Sequence, residues 1–176
     1  MIILIVESGS GKSTILNELS KIGYQKAIDY TTRPKRPGDD QLQDMRFISK
    51  QEFENMWNEG KILQRAEFNG EYYGLSIYSL ADNVVCISIV DSIRDIKRRA
   101  KELGKDGISI KVFYIRVPLE ERIKRMLKRG DSIDMVQKRI SIDKEKFRDV
   151  YKVADYVIDN DNLDMAVDKI LEIARI

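Results

Sequence analysis

The stretch VESGSGKST, Val6 to Thr14, lies between two segments of different character. Before it runs IILIV (2–6), a continuous apolar segment of the kind that forms a strand buried on both faces. After it runs STILNELSKIG, with Ile15, Leu16 and Leu19 at helical spacing and Gly23 as a stop. Strand, glycine-bearing loop and helix in that order frame most of the pattern Gly-x4-Gly-Lys-Ser/Thr. Consecutive backbone N–H groups of such a loop point inward and bind phosphate oxygens at the helix N-terminus. Glu7, Ser8, Gly9, Ser10, Gly11, Lys12, Ser13 and Thr14 are therefore expected to line a nucleoside triphosphate. Lys12 would reach the β- and γ-phosphates, and the Ser13 hydroxyl would face Mg²⁺. Val6 stands where the pattern has its first glycine. A β-branched residue is tolerated there if the backbone stays extended, and strains the loop if φ must be positive.

The rest of the chain suits this reading. Its 176 residues fit one domain, 43% of them are hydrophobic and 34% charged, and the net charge is +2. A near-balance of 31 basic and 29 acidic residues gives no case for nucleic-acid or membrane binding. No apolar run approaches the ~20 residues of a membrane helix, and the one cysteine, Cys86, suits a reducing cytoplasm. With no histidine, Ser-His-Asp and Cys-His catalysis are excluded, and a zinc site is disfavoured. Phosphoryl transfer survives, because it relies on positioning and on charge neutralisation by Lys, Arg and a metal ion.

Further strands are expected at KAIDY, KILQRAEF, EYYG, NVVCISIV, ISIKVFYIRV and DYVIDN. Helices are expected at SKQEFENMWNEG, at 91–104, and at LEERIKRMLKRG, SIDMVQKRISIDKEKFRDV and LDMAVDKILEIA. Ser49 followed by Glu52 reads as a capping box. Alternating strands and helices imply an α/β fold, a parallel sheet with helices on both faces. The stretch 33–82 departs from that alternation and reads as an inserted subdomain.

TTRPKRPGD (31–39) resembles the guanylate kinase segment Thr-Thr-Arg-x-x-Arg-x-Gly-Glu/Asp. EFNGEYYG, RMLKRG, QKRI and VIDNDNLDMA resemble further motifs of that family, in order and over almost the whole chain. The resemblance implies a P-loop NTPase core of three α/β/α layers (1–32, 83–125, 141–176), a monophosphate-binding subdomain (33–82) and a lid (126–140). It implies ATP and a nucleoside monophosphate as substrates and Mg²⁺ as cofactor. Arg33, Arg36 and Tyr73 match the positions that grip the acceptor phosphate, a task suited to guanidinium forks and a phenol. Arg125, Arg129 and Arg139 match lid positions that neutralise the transferring phosphoryl group, and with Lys12 and Arg36 form the expected catalytic set. Asn160 matches a position beside the adenine.

The base-reading positions depart from the family. Asp29 replaces a serine, Gln64 a glutamate and Leu75 a small hydroxyl residue, while Asp91 keeps its acidic character; Met45 replaces a tyrosine that, in the family, helps hold the acceptor phosphate. An ionised Asp29 cannot donate to the guanine carbonyl oxygen, but can accept from an exocyclic amino group. Three alternatives to a GMP kinase therefore stay open: a kinase for AMP or CMP, a kinase for a phosphorylated sugar, or a binding module that has lost catalysis. A regulatory GTPase is disfavoured, because no Asn-Lys-x-Asp stretch is present.

Overall fold

The computed structural model describes residues 1–35, 39, 42–68, 70–105 and 107–175. Two sheets organise the chain. The first is parallel throughout, in the order β2-β7-β1-β8-β9, from β1 (Ile2–Val6), β2 (Gln25–Lys26), β7 (Val84–Ser88), β8 (Lys111–Arg116) and β9 (Tyr156–Asp159). The second is mixed, in the order β4-β3-β6-β5, from β3 (Asp29–Thr31), β4 (Met45–Phe47), β5 (Ile62–Phe68) and β6 (Glu71–Ser76).

Strand β1 is buried on both faces, as its unbroken apolar run requires. Ile3 and Ile5 pack with Cys86, Val112 and Tyr114 beneath Ile93, Ile96 and Ala100 of α3 (Ser92–Glu102). Ile2 and Leu4 face the other way, with Val85, Phe113, Ile115 and Ile158. There they meet Ile15 and Leu19 of α1 (Lys12–Lys21) and Ala166, Val167 and Ile170 of α6 (Leu163–Ala174). The result is three layers, helix, sheet and helix. No helix among the described residues is long and apolar enough to cross a membrane.

The segment KAIDY does not form one strand. The chain leaves the first sheet after Ala27, whose N–H donates to Val85 O at 2.9 Å, and enters the second at Asp29, whose N–H donates to Asp44 O at 2.8 Å. Between them the Ile28 N–H donates to Ser79 Oγ at 2.9 Å, and Ile28 O accepts from the Ser76 N–H. Strand β4 has no counterpart among the expected elements. The helix α2 (Lys50–Asn58) starts as expected, with Ser49 Oγ accepting from the Glu52 N–H at 3.1 Å.

Register in the second sheet has one consequence for function. Met45, Asp29, Leu75 and Gln64 are successive cross-strand partners and form one row on one face. Phe47, Thr31, Tyr73 and Ala66 form the next row on that face. The opposite face carries Tyr72 and Gly74 and is covered by Phe53 of α2, whose ring lies 5.4 Å from that of Tyr72. A Cβ at Gly74 would lie 2.7 Å from Ile62 Cγ2, 2.9 Å from Phe53 Cζ and 3.0 Å from Gln64 O. Side chains can shift, but the carbonyl belongs to the neighbouring strand. Gly74→Ala should therefore destabilise the fold by about 1–3 kcal/mol in urea titrations.

Candidate active site

The phosphate loop leaves β1 at Val6, which still pairs with Ile115 as strand. The backbone there is extended, so the missing glycine costs nothing in φ. The positive φ values belong to Gly9 (82°) and Gly11 (86°). A Cβ at Gly9 would sit 2.7 Å from the backbone oxygen of Arg122, and one at Gly11 would sit 3.0 Å from Asn160 Nδ2. Close packing as well as dihedral freedom thus requires glycine at both.

The loop is held by a buried ionic network that the motifs do not announce. Arg122, on α4 (Leu119–Lys128), donates from Nε to Ser8 O at 2.9 Å, from one terminal nitrogen to Glu7 at 2.7 Å and from the other to Asp143 at 2.7 Å. Asp143, on α5 (Ile133–Lys146), also accepts from the Ser8 N–H at 2.8 Å. The Tyr114 hydroxyl donates to Glu7 at 2.7 Å, and burial followed by this bond pushes its pKa up. Asn160 is buried, and its amide donates to Ser10 O at 2.9 Å. In this structure it braces the loop from below.

A cavity of about 400 Å³ opens over the loop, lined by Lys12, Ser13, Thr14 and the three expected arginines, Arg125, Arg129 and Arg139. Lys12 and Ser13 are exposed, and neither side chain has a hydrogen-bond partner among the described residues. The arginines rest on carboxylates. Arg125 donates to Glu121 at 3.0 Å, Arg129 forks onto Asp131, and Arg139 Nε lies 3.7 Å from Asp131. The bond from Arg129 holds Asp131 below its ordinary pKa, and the bond from Arg125 does the same for Glu121. Among the described residues no group of three or more acidic, histidine or cysteine side chains stands together. A Mg²⁺ ion could be held here by Ser13 together with phosphate oxygens and water, the arrangement this ion prefers.

A second cavity, about 380 Å³, lies on the row face of the second sheet. Asp29, Met45, Gln64 and Tyr73 line it, joined by three residues the sequence did not single out, Ser88, Ser92 and Lys146. Burial, and then the nearby Asp44, push the Asp29 carboxyl up to about 7. Gln64 Nε2 donates to Ser92 Oγ at 2.9 Å. The other expected acceptor residues lie elsewhere. Leu75 is 4% exposed and its side chain belongs to the core, as the apolar middle of the row. Asp91 is exposed at the N-cap of α3. Arg33 forks onto Asp39, stacks 5.0 Å from the Phe47 ring and touches Met45 Sδ. Arg36 lies outside the described residues.

Two stability outcomes follow from these contacts. Arg122→Met would leave Glu7 and Asp143 as buried carboxylates without their cation, and should cost about 3–5 kcal/mol in urea unfolding. Asp29 holds its proton more tightly folded than unfolded, so the stability this lends is present at low pH and lost as pH rises through about 7. Asp29→Asn should match the parent near pH 4 and exceed it near pH 8 by about 1–2 kcal/mol, the full linkage being discounted for the carboxyl's access to water.

The sequence model of the guanylate kinase family matches residues 1–175. The guanylate kinase of Mannheimia succiniciproducens is 33% identical over 181 residues, covering 98% of this chain and 86% of that protein. That of Geobacter metallireducens is 33% identical over 177 residues, covering 96% and 84%. The crystal structure of guanylate kinase from Anaplasma phagocytophilum superposes with a TM-score of 0.63 at 25% identity, covering 99% of this chain and 84% of that one. With the P-loop core already in view, the chain belongs to the guanylate kinase family of ATP-dependent nucleoside monophosphate kinases.

Proposed function

We propose that this chain transfers the γ-phosphoryl group of Mg²⁺-ATP to GMP or dGMP, giving GDP or dGDP. The observation that carries the reading is the placement of two cavities at the carboxyl edge of one sheet. The loop cavity begins at Val6 and the row-face cavity takes in Ile87 and Ser88. Ile5 and Ser88 are partners on adjacent strands, so the two openings are neighbours. Ligands of open α/β sheets bind at this edge.

In this reading an acceptor phosphate oxygen attacks the γ-phosphorus and the bond to the β-phosphate oxygen breaks, releasing ADP. Lys12 and the loop amides hold the donor phosphates, with Asn160 bracing the loop through Ser10. Mg²⁺ would be held by the Ser13 hydroxyl together with substrate oxygens and water, and would supply positive charge to offset that of the donor phosphates. Arg125, Arg129 and Arg139 neutralise the transferring group once its oxygens replace the carboxylates of Glu121 and Asp131 as their partners. The Tyr73 hydroxyl and the Lys146 ammonium line the acceptor cavity and can hold the acceptor phosphate. Arg33 joins them by sharing or exchanging its fork with Asp39. No general base is needed, because the attacking oxygen is already ionised.

A second reading, a kinase for AMP or CMP, is favoured by one observation. The Asp29 carboxyl has no donor from the protein among the described residues, and an exocyclic amino group would supply one. Steady-state turnover of GMP, dGMP, AMP, CMP and UMP with ATP and Mg²⁺ separates the two. The expected outcome is a preference for the guanine nucleotides near neutral pH, and a dominant rate with AMP or CMP would overturn it. Lys12→Ala should lower kcat by about 10³-fold or more with unchanged circular dichroism. Absence of ATP binding by calorimetry would reduce the chain to a binding module.

A further inference from the structure

The row Met45-Asp29-Leu75-Gln64 forms one wall of the acceptor cavity, and two of its side chains have hydrogen-bonding capacity the protein leaves unused. Asp29 accepts no hydrogen bond and makes no ion pair among the described residues. Gln64 spends one N–H on Ser92 Oγ at 2.9 Å, which leaves its second N–H and its carbonyl oxygen. Leu75 stands between them as an apolar spacer. A half-buried carboxylate without a donor is costly, so the site resolves the cost by protonation or by a ligand that donates.

The groups around Asp29 favour the proton. Asp44 adjoins β4, Glu67 lies on β5, Tyr73 on β6 and Lys146 on α5. The Cys86 thiol on β7 is itself raised by burial and stays neutral. Lys146 is the one cation among these, against two carboxylates, and it is exposed. Burial and Asp44 together bring the Asp29 titration to about 7.

The edges of the two purines are complementary to the two protonation states. Guanine presents a carbonyl oxygen next to a ring N–H, so a neutral carboxyl can donate to the first while the Gln64 oxygen accepts from the second. Adenine presents an amino group next to a bare ring nitrogen, so a carboxylate can accept from the first while the Gln64 amide donates to the second. We infer that Asp29 reads the acceptor base through its own proton, donating to guanine when neutral and accepting from an amino-bearing base when ionised, so that preference for GMP over AMP falls as pH rises. The inference rests on the kinase reading above and concerns the same acceptor cavity.

The test is kcat/KM for GMP and AMP between about pH 6 and about pH 9, for the parent chain and for Asp29→Ser. The serine hydroxyl can donate at every pH in this range. The parent should lose GMP efficiency by about tenfold per pH unit above its titration, and Asp29→Ser should lose that limb. Ionisation of the acceptor phosphate affects both proteins alike, so the difference between them isolates residue 29. Calorimetry of GMP binding near pH 8, in two buffers of different ionisation heat, supplies a second readout. The parent should take up close to one proton (~1), and the variant none. If Asp29→Ser does not fold, Asp29→Asn supplies an amide donor in its place. A GMP profile with the same limb and the same proton uptake in parent and variant overturns the inference, as does a parent with neither. GMP turnover with a flat base preference sinks this inference alone, whereas no turnover of any monophosphate at any pH sinks the kinase reading with it.

Discussion

The guanidinium of Arg122 is the contact on which the site depends. Its donors satisfy Ser8 O, Glu7 and Asp143 together, and so fasten the phosphate loop to α4 and α5 at once. Without it, Glu7 would place an uncompensated carboxylate in a loop built for anions. With it, two carboxylates and one guanidinium leave a residual negative charge beneath the loop, and Lys12, Arg125, Arg129 and Arg139 offset that charge from above. The Ser8 N–H belongs to the network as well, donating to Asp143 and not into the cavity. The loop exchanges one potential phosphate donor for rigidity, and a loop fixed in advance loses less conformational entropy when the triphosphate arrives.

The same two helices and the end of the first carry the arginines that line the loop cavity. Arg122 and Arg125 on α4 and Arg129 at its C-cap are spaced three and four apart, and Arg139, Asp143 and Lys146 on α5 four and three apart. Each set therefore lies along one face of its helix. The start of the first face, Arg122, and the middle of the second, Asp143, are committed to the loop network, and the remaining members line the cavities. Asp131, in the turn between the helices, lies within reach of both Arg129 and Arg139. It offsets the repulsion of two nearby cations and keeps them together; in the proposed transfer, a group of higher charge density competes for them. A phosphoryl group has that advantage over a single carboxylate, with three oxygens for guanidinium forks.

The parts of this structure that were legible in the sequence are those encoded locally. Val6–Thr14 could be read because a buried strand, two glycines and a helix start are contiguous, and the structure shows an extended Val6 and positive φ at Gly9 and Gly11. The row Met45-Asp29-Leu75-Gln64 could not be read from periodicity, because its members come from four short strands of a mixed sheet joined by long-range register. Only the family resemblance drew attention to those positions, and it did not show that Leu75 would serve as core while its row neighbours face a cavity. KAIDY misled because a two-residue strand and a three-residue strand of different sheets follow one another with a single change of direction at Ile28. Arg122 and Asp143 were visible as charges at helical spacing, but a pattern of charges does not say which pair is buried. That depends on how closely the Gly9 backbone approaches α4.

The composition sharpens the meaning of the acceptor cavity. A chain without histidine has no side chain whose ordinary titration falls near neutrality. Any pH response there must come from the substrates or from a displaced group. Burial raises the Cys86 thiol out of the range. Burial lowers the Met1 amine toward neutrality, but that group donates to Ser109 O at the start of β1, the edge of the sheet away from both cavities. Among the described residues, the group displaced to near neutrality that faces a cavity at the carboxyl edge is Asp29. A serine there would donate at every pH and fix the preferred base once. A carboxyl held between an apolar core residue and a second acid gives the same row of side chains two hydrogen-bonding patterns, selected by one proton.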